Sequence, residues 1–295
     1  MLTIEQIAGL AAGYQSELTT RVAEFEIAGQ AFAFNSAPAI MGVVNLSADS
    51  WYRESVCLST DAAIERGKVL HAQGARIIDV GAESTLAHAV RVDPSLQNSK
   101  LLPVIAALRA AGILVSVETY DPGVARTCLE GGANVLNLTG TVGAEPIYRL
   151  VAEHRAAVII CYVQGVNVRE VSDFDFAADP IRMMHDYFAR QIELAMASGA
   201  TRIFIDPGMG FYYRNLQDSA VRVRHQVNVF LNTFRLRGLG FPICHALPHA
   251  FEFFREEVRC AEPFFAVLAA LGKTDLFRTH EVPRTRAVLE TIRML

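Results

Sequence analysis

Short apolar runs alternate along the chain with longer stretches in which apolar residues recur every three or four positions. The runs fall at 39–44, 77–81, 114–118, 135–137, 158–162, 203–206, 242–245 and 276–278. They are too short for helices and nearly unbroken by polar residues, the pattern of strands covered on both faces of a parallel sheet. Helical patterns lie between them, near 60–73, 95–111, 122–131, 145–154, 178–198, 216–237 and 250–271, with another at 283–293 after the last strand. Strand then helix, repeated, predicts βα units. Eight units favour a closed (βα)8 barrel of the TIM type over an open doubly wound sheet. The glycine-rich dinucleotide turn is also missing, because Gly42-Val43-Val44-Asn45 does not fit G-x-G-x-x-G. Ahead of the first barrel strand, 3–16 reads as a helix. Residues 22–27 and 31–34 read as a β-hairpin around Ala28-Gly29-Gln30, placed to plug the bottom of the barrel. The expected fold class is therefore α/β. The N-terminal helix and hairpin occupy 1–36, the barrel occupies 37–295, and no linker divides this one domain of 1–295.

Composition narrows the function classes. With 52% hydrophobic and 20% charged residues, the 295-residue chain has ample material for a large core. Its net charge of -4 provides no basic footprint, so nucleic acid is not an expected partner. The five cysteines, Cys57, Cys128, Cys161, Cys244 and Cys260, are scattered and never form C-x-x-C, which fits reduced thiols in a cytoplasmic protein. The start, MLTIEQIAGLAAGYQ, has no basic region ahead of an apolar block, so no signal peptide is expected. The apolar runs are too short to span a bilayer, and no membrane association is expected.

Barrel enzymes place their chemistry at the C-terminal ends of the strands. Nearly every predicted strand here ends in a hydrogen-bonding side chain. The first offers Asn45, Ser47, Asp49 and Ser50; the second Asp79, Glu83, Ser84 and Thr85; the third Glu118 and Thr119. The fourth offers Asn137, the fifth Gln164, the sixth Asp206, the seventh His245, and the eighth Arg278 and His280. One such residue is an ordinary cap or turn former; a ring of them at one end is not explained by caps. Carboxylates and amides together suit a neutral heterocycle that presents both N–H donors and C=O acceptors. No histidine pair sits at metal-ligand spacing, which argues against a metal cage. His245 and His249 read as structural. The aromatic stretch Phe251, Phe253, Phe254, Phe264 and Phe265 reads as a helix-packing surface or a subunit contact.

Six motifs occur in order. They are Gly42-Val43-Val44-Asn45-Leu46-Ser47-Ala48-Asp49-Ser50-Trp51, Asp79-Val80-Gly81-Ala82-Glu83-Ser84-Thr85, Ser116-Val117-Glu118-Thr119, Leu136-Asn137-Leu138-Thr139-Gly140, Asp206-Pro207-Gly208-Met209-Gly210-Phe211 and Arg278-Thr279-His280-Glu281-Val282. In this series the chain resembles dihydropteroate synthase, the pterin-binding barrel enzyme of folate biosynthesis. The resemblance runs from the hairpin to the C-terminus. It implies a transferase that joins 6-hydroxymethyl-dihydropterin pyrophosphate to 4-aminobenzoate and releases pyrophosphate, with Mg2+ as cofactor. By the same resemblance Asn45 binds the metal and pyrophosphate, and Thr85 sits near pterin and aminobenzoate. Glu118, Asn137 and Asp206 hydrogen-bond the pterin, Gln164 belongs to the substrate site, and Arg278 and His280 hold the leaving pyrophosphate. The family also implies a homodimer formed through late helices.

The chain departs from the pattern at the mouth. Where the family has G-L-S-R-K-S, this chain has Ala246-Leu247-Pro248-His249-Ala250-Phe251, so the pterin-stacking lysine falls on Ala250 and a serine that helps hold aminobenzoate falls on Pro248. The second-loop arginine falls on Leu86, the pterin aspartate on Glu118, and the second acid of the fourth motif on Leu138. Each charge-assisted hydrogen bond lost is worth ~1.5–3 kcal/mol. Arg53 and Arg214 are the candidate replacements. Two other functions stay open: a non-catalytic or accessory pterin-binding paralogue, which the lost lysine, serine and arginine favour, and a pterin-dependent methyltransferase, which the retained Asn45, Arg278 and His280 disfavour.

Overall fold

The computed structural model describes residues 3–47, 52, 55–84, 89, 91–175, 179–211 and 213–294. Two short helices come first, α1 (Ile4–Gly13) and α2 (Gln15–Thr19), followed by a hairpin of β1 (Phe25–Ile27) and β2 (Gln30–Phe32). Its turn residues Ala28 and Gly29 both have positive φ, the backbone that matches a two-residue hairpin. Eight parallel strands follow: β3 (Ala39–Asn45), β4 (Ile77–Gly81), β5 (Leu114–Thr119), β6 (Val135–Leu138), β7 (Ala157–Cys161), β8 (Ile203–Asp206), β9 (Cys244–Ala246) and β10 (Leu276–Thr279). They are ordered β8-β7-β6-β5-β4-β3-β10-β9. A parallel bridge between Ile205 and Ile243, with Ile205 N donating to Pro242 O at 3.1 Å, brings the two edges together and closes the barrel.

The helices on the outside are α3 (Thr60–Ala72), α4 (Pro94–Ala110), α5 (Pro122–Glu130), α6 (Glu145–Glu153), α7 (Pro180–Ala197), α8 (Ser219–Asn232), α9 (Phe251–Phe254), α10 (Ala261–Leu271) and α11 (Val282–Ile292). Their starts are written locally. Asp93, Asp121 and Asp179 each cap a helix through a side-chain oxygen and are each followed by a proline at the first helical position. Among the described residues no helix is long and apolar enough to cross a membrane.

The strands and most helices lie where the apolar pattern puts them, with four differences; the first is that the helix expected over 3–16 is two, α1 and α2, broken at Tyr14, whose backbone is not helical. The seventh barrel strand begins at Cys244 rather than at 242, because Pro242 has no N–H for the ladder. The helix expected over 216–237 stops at Asn232 and tightens into a 3-10 turn, Thr233–Leu239. There the Thr233 hydroxyl bonds Val229 O at 2.6 Å and His245 Nε2 at 2.9 Å, competing with the helical ladder. The helix expected over 250–271 is broken, since Ala250 and Arg255 adopt φ of 45° and 46°, which no continuing α-helix accommodates.

The hairpin packs against the N-terminal ends of the strands. Phe25 and Phe34 meet Phe204 of β8 edge-on, at 5.2 and 5.3 Å. A buried ion pair fastens this end: Arg237 bonds both oxygens of Asp275, just before β10, and also Thr20 O and Asn35 Oδ1.

At the opposite end, strand register sets a level. Asn45 pairs with Gly81, Gly81 with Glu118, and Glu118 with Asn137, so these residues from four adjacent strands lie in one layer. Asp79 and Ser116 pair two residues deeper.

Candidate active site

Asp79 is the hub of the barrel's polar interior. It is completely buried, and its Oδ2 accepts from Arg278 Nε at 2.7 Å and from Asn137 Nδ2 at 3.2 Å. Arg278 projects from β10 and also donates through Nη2 to Glu118 Oε2 at 2.5 Å. Asn137 Oδ1 in turn accepts from the Cys161 thiol at 3.3 Å. Strands β4, β5, β6, β7 and β10 thus share one network, in which every buried charge has a partner. One acceptor is left over: Asp79 Oδ1 is buried and makes no hydrogen bond among the described residues.

Above this network lies a small pocket lined by Glu118, Asn137, Cys161, Asp206 and Arg278, with further residues around them. Asp206 reaches it from the end of β8. Its Oδ1 accepts from Gly208 N at 2.7 Å across the Asp-Pro-Gly turn. That turn requires glycine: Gly208 has φ of +76°, and a Cβ there would lie 2.5 Å from Tyr162 O. The pocket adjoins a wider cleft, with Glu118, Gly210, Phe211, Ala246 and Arg278 common to both.

Burial governs the charges here. It pushes Glu118 up to about 7, with Asp79 and Asp206 adding to the rise and Arg278 opposing it. Burial likewise pushes Asp206 up to about 6, against the Gly208 N–H and Arg278. The Cys161 and Cys244 thiols are held well above their usual range by burial and stay protonated. Three carboxylates therefore face one guanidinium, an arrangement that favours a ligand rich in N–H donors.

The rim of the cleft carries Asn45, Tyr52, His249 and His280. Asn45 Nδ2 donates to Ser55 Oγ at 2.6 Å. Tyr52 stacks on His249, centroids 4.9 Å apart at 19°, lies 4.8 Å from His280, and donates its hydroxyl to Glu281. His280 Nδ1 is 2.6 Å from Glu262 Oε1. Across the mouth, buried Arg169 pairs with Glu83 at 3.0 Å and bonds Ser84 O and Ala89 O, bracing the second loop.

The model of the family described as "Pterin binding enzyme" matches residues 41–243. The chain belongs to the pterin-binding enzyme family. Dihydropteroate synthase of Synechocystis is 30% identical over 208 residues, 69% of each chain. That of Mycobacterium leprae is 32% identical over 175 residues, 58% of this chain and 62% of the relative's own length. Among solved structures, Xanthomonas albilineans dihydropteroate synthase with 4-aminobenzoic acid is 26% identical, with a TM-score of 0.77 over 92% of this chain and 98% of that one. The Yersinia pestis enzyme, at 21% identity and a TM-score of 0.78, covers 92% of this chain and 98% of its own and shares the fold.

Measured against the expectations for a pterin-binding enzyme, Glu118, Asn137, Asp206 and Arg278 come together in one pocket, and Asn45 and His280 stand on the adjoining rim. Gln164 does not line either cavity; its amide is taken up by the Tyr162 hydroxyl and Asp175 N. Thr85, Arg53 and Leu86 lie outside the described residues, as does the side chain of Arg214. His245 is a core residue: fully buried, pushed down to about 3 by burial, bonded to Thr233 and packed on Phe230. His249, expected to be structural, instead lines the cleft. The sequence has no histidine pair at metal-ligand spacing, but three residues distant in sequence gather in the fold. His249, Glu262 and His280 bring one ligand atom each to within 4.8 Å of one another. They come from three separate elements, so linear spacing carries no sign of them. Asp79 and Arg169 were equally hidden as partners, although Asp79 stands at a strand end and is legible as polar.

Proposed function

We propose that this chain is a dihydropteroate-synthase-like transferase that binds 6-hydroxymethyl-dihydropterin pyrophosphate and joins it to an aryl amine such as 4-aminobenzoate. The observation that carries this reading is the convergence of Glu118, Asn137, Asp206 and Arg278 on one pocket that adjoins the wider cleft. A pterin ring offers an amino group and ring N–H on one edge and a carbonyl beside them. The carboxylates accept from the first, and the amide of Asn137 can serve either.

The reaction on this reading is a displacement at the exocyclic methylene. The amine nitrogen forms the new C–N bond, the C–O bond to pyrophosphate breaks with its electron pair leaving on oxygen, and the amine then loses a proton. The pocket holds the pterin so that its methylene faces the cleft, where the second substrate enters. Arg278 stands between pocket and cleft, and His280 faces the cleft with its Nδ1 tied to Glu262, so both are placed to stabilise charge on the departing oxygens. Mg2+ fits the donor set at Asn45, a carboxamide oxygen beside a cleft for a phosphorylated substrate; when bound it would offset negative charge on the pyrophosphate. The working form on this reading is a cytoplasmic homodimer of single-domain chains. Exposed Phe264, Val267 and Leu271, one stripe of α10, support a subunit contact there.

A second reading has its own support. The seventh-loop wall is Ala246, Leu247 and Pro248, and Arg278 is already engaged by two carboxylates. A pterin-binding paralogue without the transferase step fits these facts. Purified protein with dihydropterin pyrophosphate, Mg2+ and 4-aminobenzoate decides between them. Pyrophosphate release is expected. Pterin binding by calorimetry without release would leave the paralogue, and unchanged pterin affinity in Asp206→Ala would remove the pocket assignment altogether.

A further inference from the structure

Three side chains converge at and beneath the rim, and of them the proposed reaction calls on His280 alone. His249 comes from the loop after β9, Glu262 from the first turn of α10, and His280 from the residue after β10. Glu262 Oε1 sits 2.6 Å from His280 Nδ1 and 3.5 Å from His249 Nδ1. One hydrogen bond accounts for the first contact. The second is a longer charge-type contact and not a hydrogen bond: His249 Nδ1 is buried and has no hydrogen-bond partner among the described residues. Two ring nitrogens thus turn toward one carboxylate oxygen, and only one of them is satisfied.

We propose that His249, Glu262 and His280 form a binding site for a divalent transition-metal ion of the zinc class, with its open coordination position facing the cleft. Two imidazole nitrogens and one carboxylate oxygen are a ligand set that zinc favours over magnesium, and three protein ligands leave a fourth position for water or an anion. The carboxylate is already oriented. Its second oxygen, Oε2, accepts from His280 N at 2.9 Å, from Glu281 N at 3.1 Å and from the Thr279 hydroxyl, leaving Oε1 turned toward the histidines. Tyr52 lies against both imidazole rings and restrains their planes. Binding replaces the proton between His280 and Glu262. Their separation must widen from 2.6 Å to about 3.3 Å, the span across a tetrahedral ion with bonds near 2.0–2.1 Å.

The site also answers a deficit of charge. The lysine and arginine positions of the family pattern are Ala250 and Leu86 here, whereas His249 stands at the arginine of G-L-S-R-K-S. A dication on two neutral imidazoles and one carboxylate adds one net positive charge at the rim, and its open position would take a phosphate-type oxygen. The metal site itself does not depend on the transferase reading.

The test uses the full chain, stripped with chelator and titrated with Zn2+ by calorimetry, with Mg2+ as control and no substrate present. One equivalent of Zn2+ is expected, and Co2+ in its place should give the intense visible bands of a four-coordinate ion. His249→Phe keeps the ring against Tyr52 and should weaken Zn2+ binding by about tenfold or more. Glu262→Gln should do the same. If Glu262→Gln fails to fold, His249→Phe alone decides. No saturable Zn2+ binding, affinity unchanged in His249→Phe, or Co2+ bands absent would each overturn the proposal.

Discussion

Glu118→Gln isolates the most strained charge in the pocket. Burial raises this carboxyl from 4.5 to about 7 even though Arg278 holds it. At about 1.4 kcal/mol per pH unit, its ionisation in the folded state opposes folding by roughly 3 kcal/mol. The sign follows from the direction. An acid whose folded value lies above its unfolded value binds its proton more tightly when folded, so it adds stability at low pH. That contribution disappears as pH rises from 4.5 through about 7. Glutamine keeps an oxygen for Arg278 but has no proton to lose. Urea unfolding across this range should show the two proteins diverging with pH and the gap levelling above 7, with the variant ahead by up to roughly 3 kcal/mol. Pterin affinity should fall at the same time. A charge-assisted hydrogen bond worth ~1.5–3 kcal/mol is lost, which is roughly tenfold to a hundredfold. A gap that does not vary with pH, or a variant less stable throughout, would refute the reasoning: Glu118 would then be a net stabilising partner of Arg278.

Two further outcomes follow from the same geometry. Arg278→Met leaves Asp79 and Glu118 buried without their cation and should cost about 3–5 kcal/mol at neutral pH, a loss that shrinks in acid as Glu118, already pushed up to about 7, protonates; denaturant titration at two pH values reads both. Phe204→Ala removes the ring on which Phe25 and Phe34 rest; a loss of about 3–5 kcal/mol, with faster hydrogen exchange at the hairpin amides, is expected.

The barrel was legible because its strands are buried on both faces, and eight nearly unbroken apolar runs spaced by helical stretches fit little besides a closed parallel sheet. Helix ends were less so. Nothing in the apolar period says that Thr233 will turn its hydroxyl back on the ladder, or that Ala250 and Arg255 will take left-handed backbone. In the site, strand-end residues such as Asn137 and Asp206 were readable because position on a parallel strand already fixes which end of the barrel a side chain reaches. Partnerships were not. Arg278 finds Asp79 and Glu118 across 199 and 160 residues, and His249, Glu262 and His280 meet only because three elements converge on the rim. Tertiary closure creates those pairings, and local pattern carries no record of them.

The layer through Asn45, Gly81, Glu118 and Asn137 has a consequence for how such a molecule can change. These positions are held by backbone ladders, so moving one by a single residue would turn its whole strand inside out. The loops above them answer to no ladder. Substitution can therefore exchange side chains in those loops, as at Pro248 and Ala250, while the deeper ring keeps its shape. In such a barrel the ring at the strand ends is inherited with the architecture, and the loops over it are free to drift.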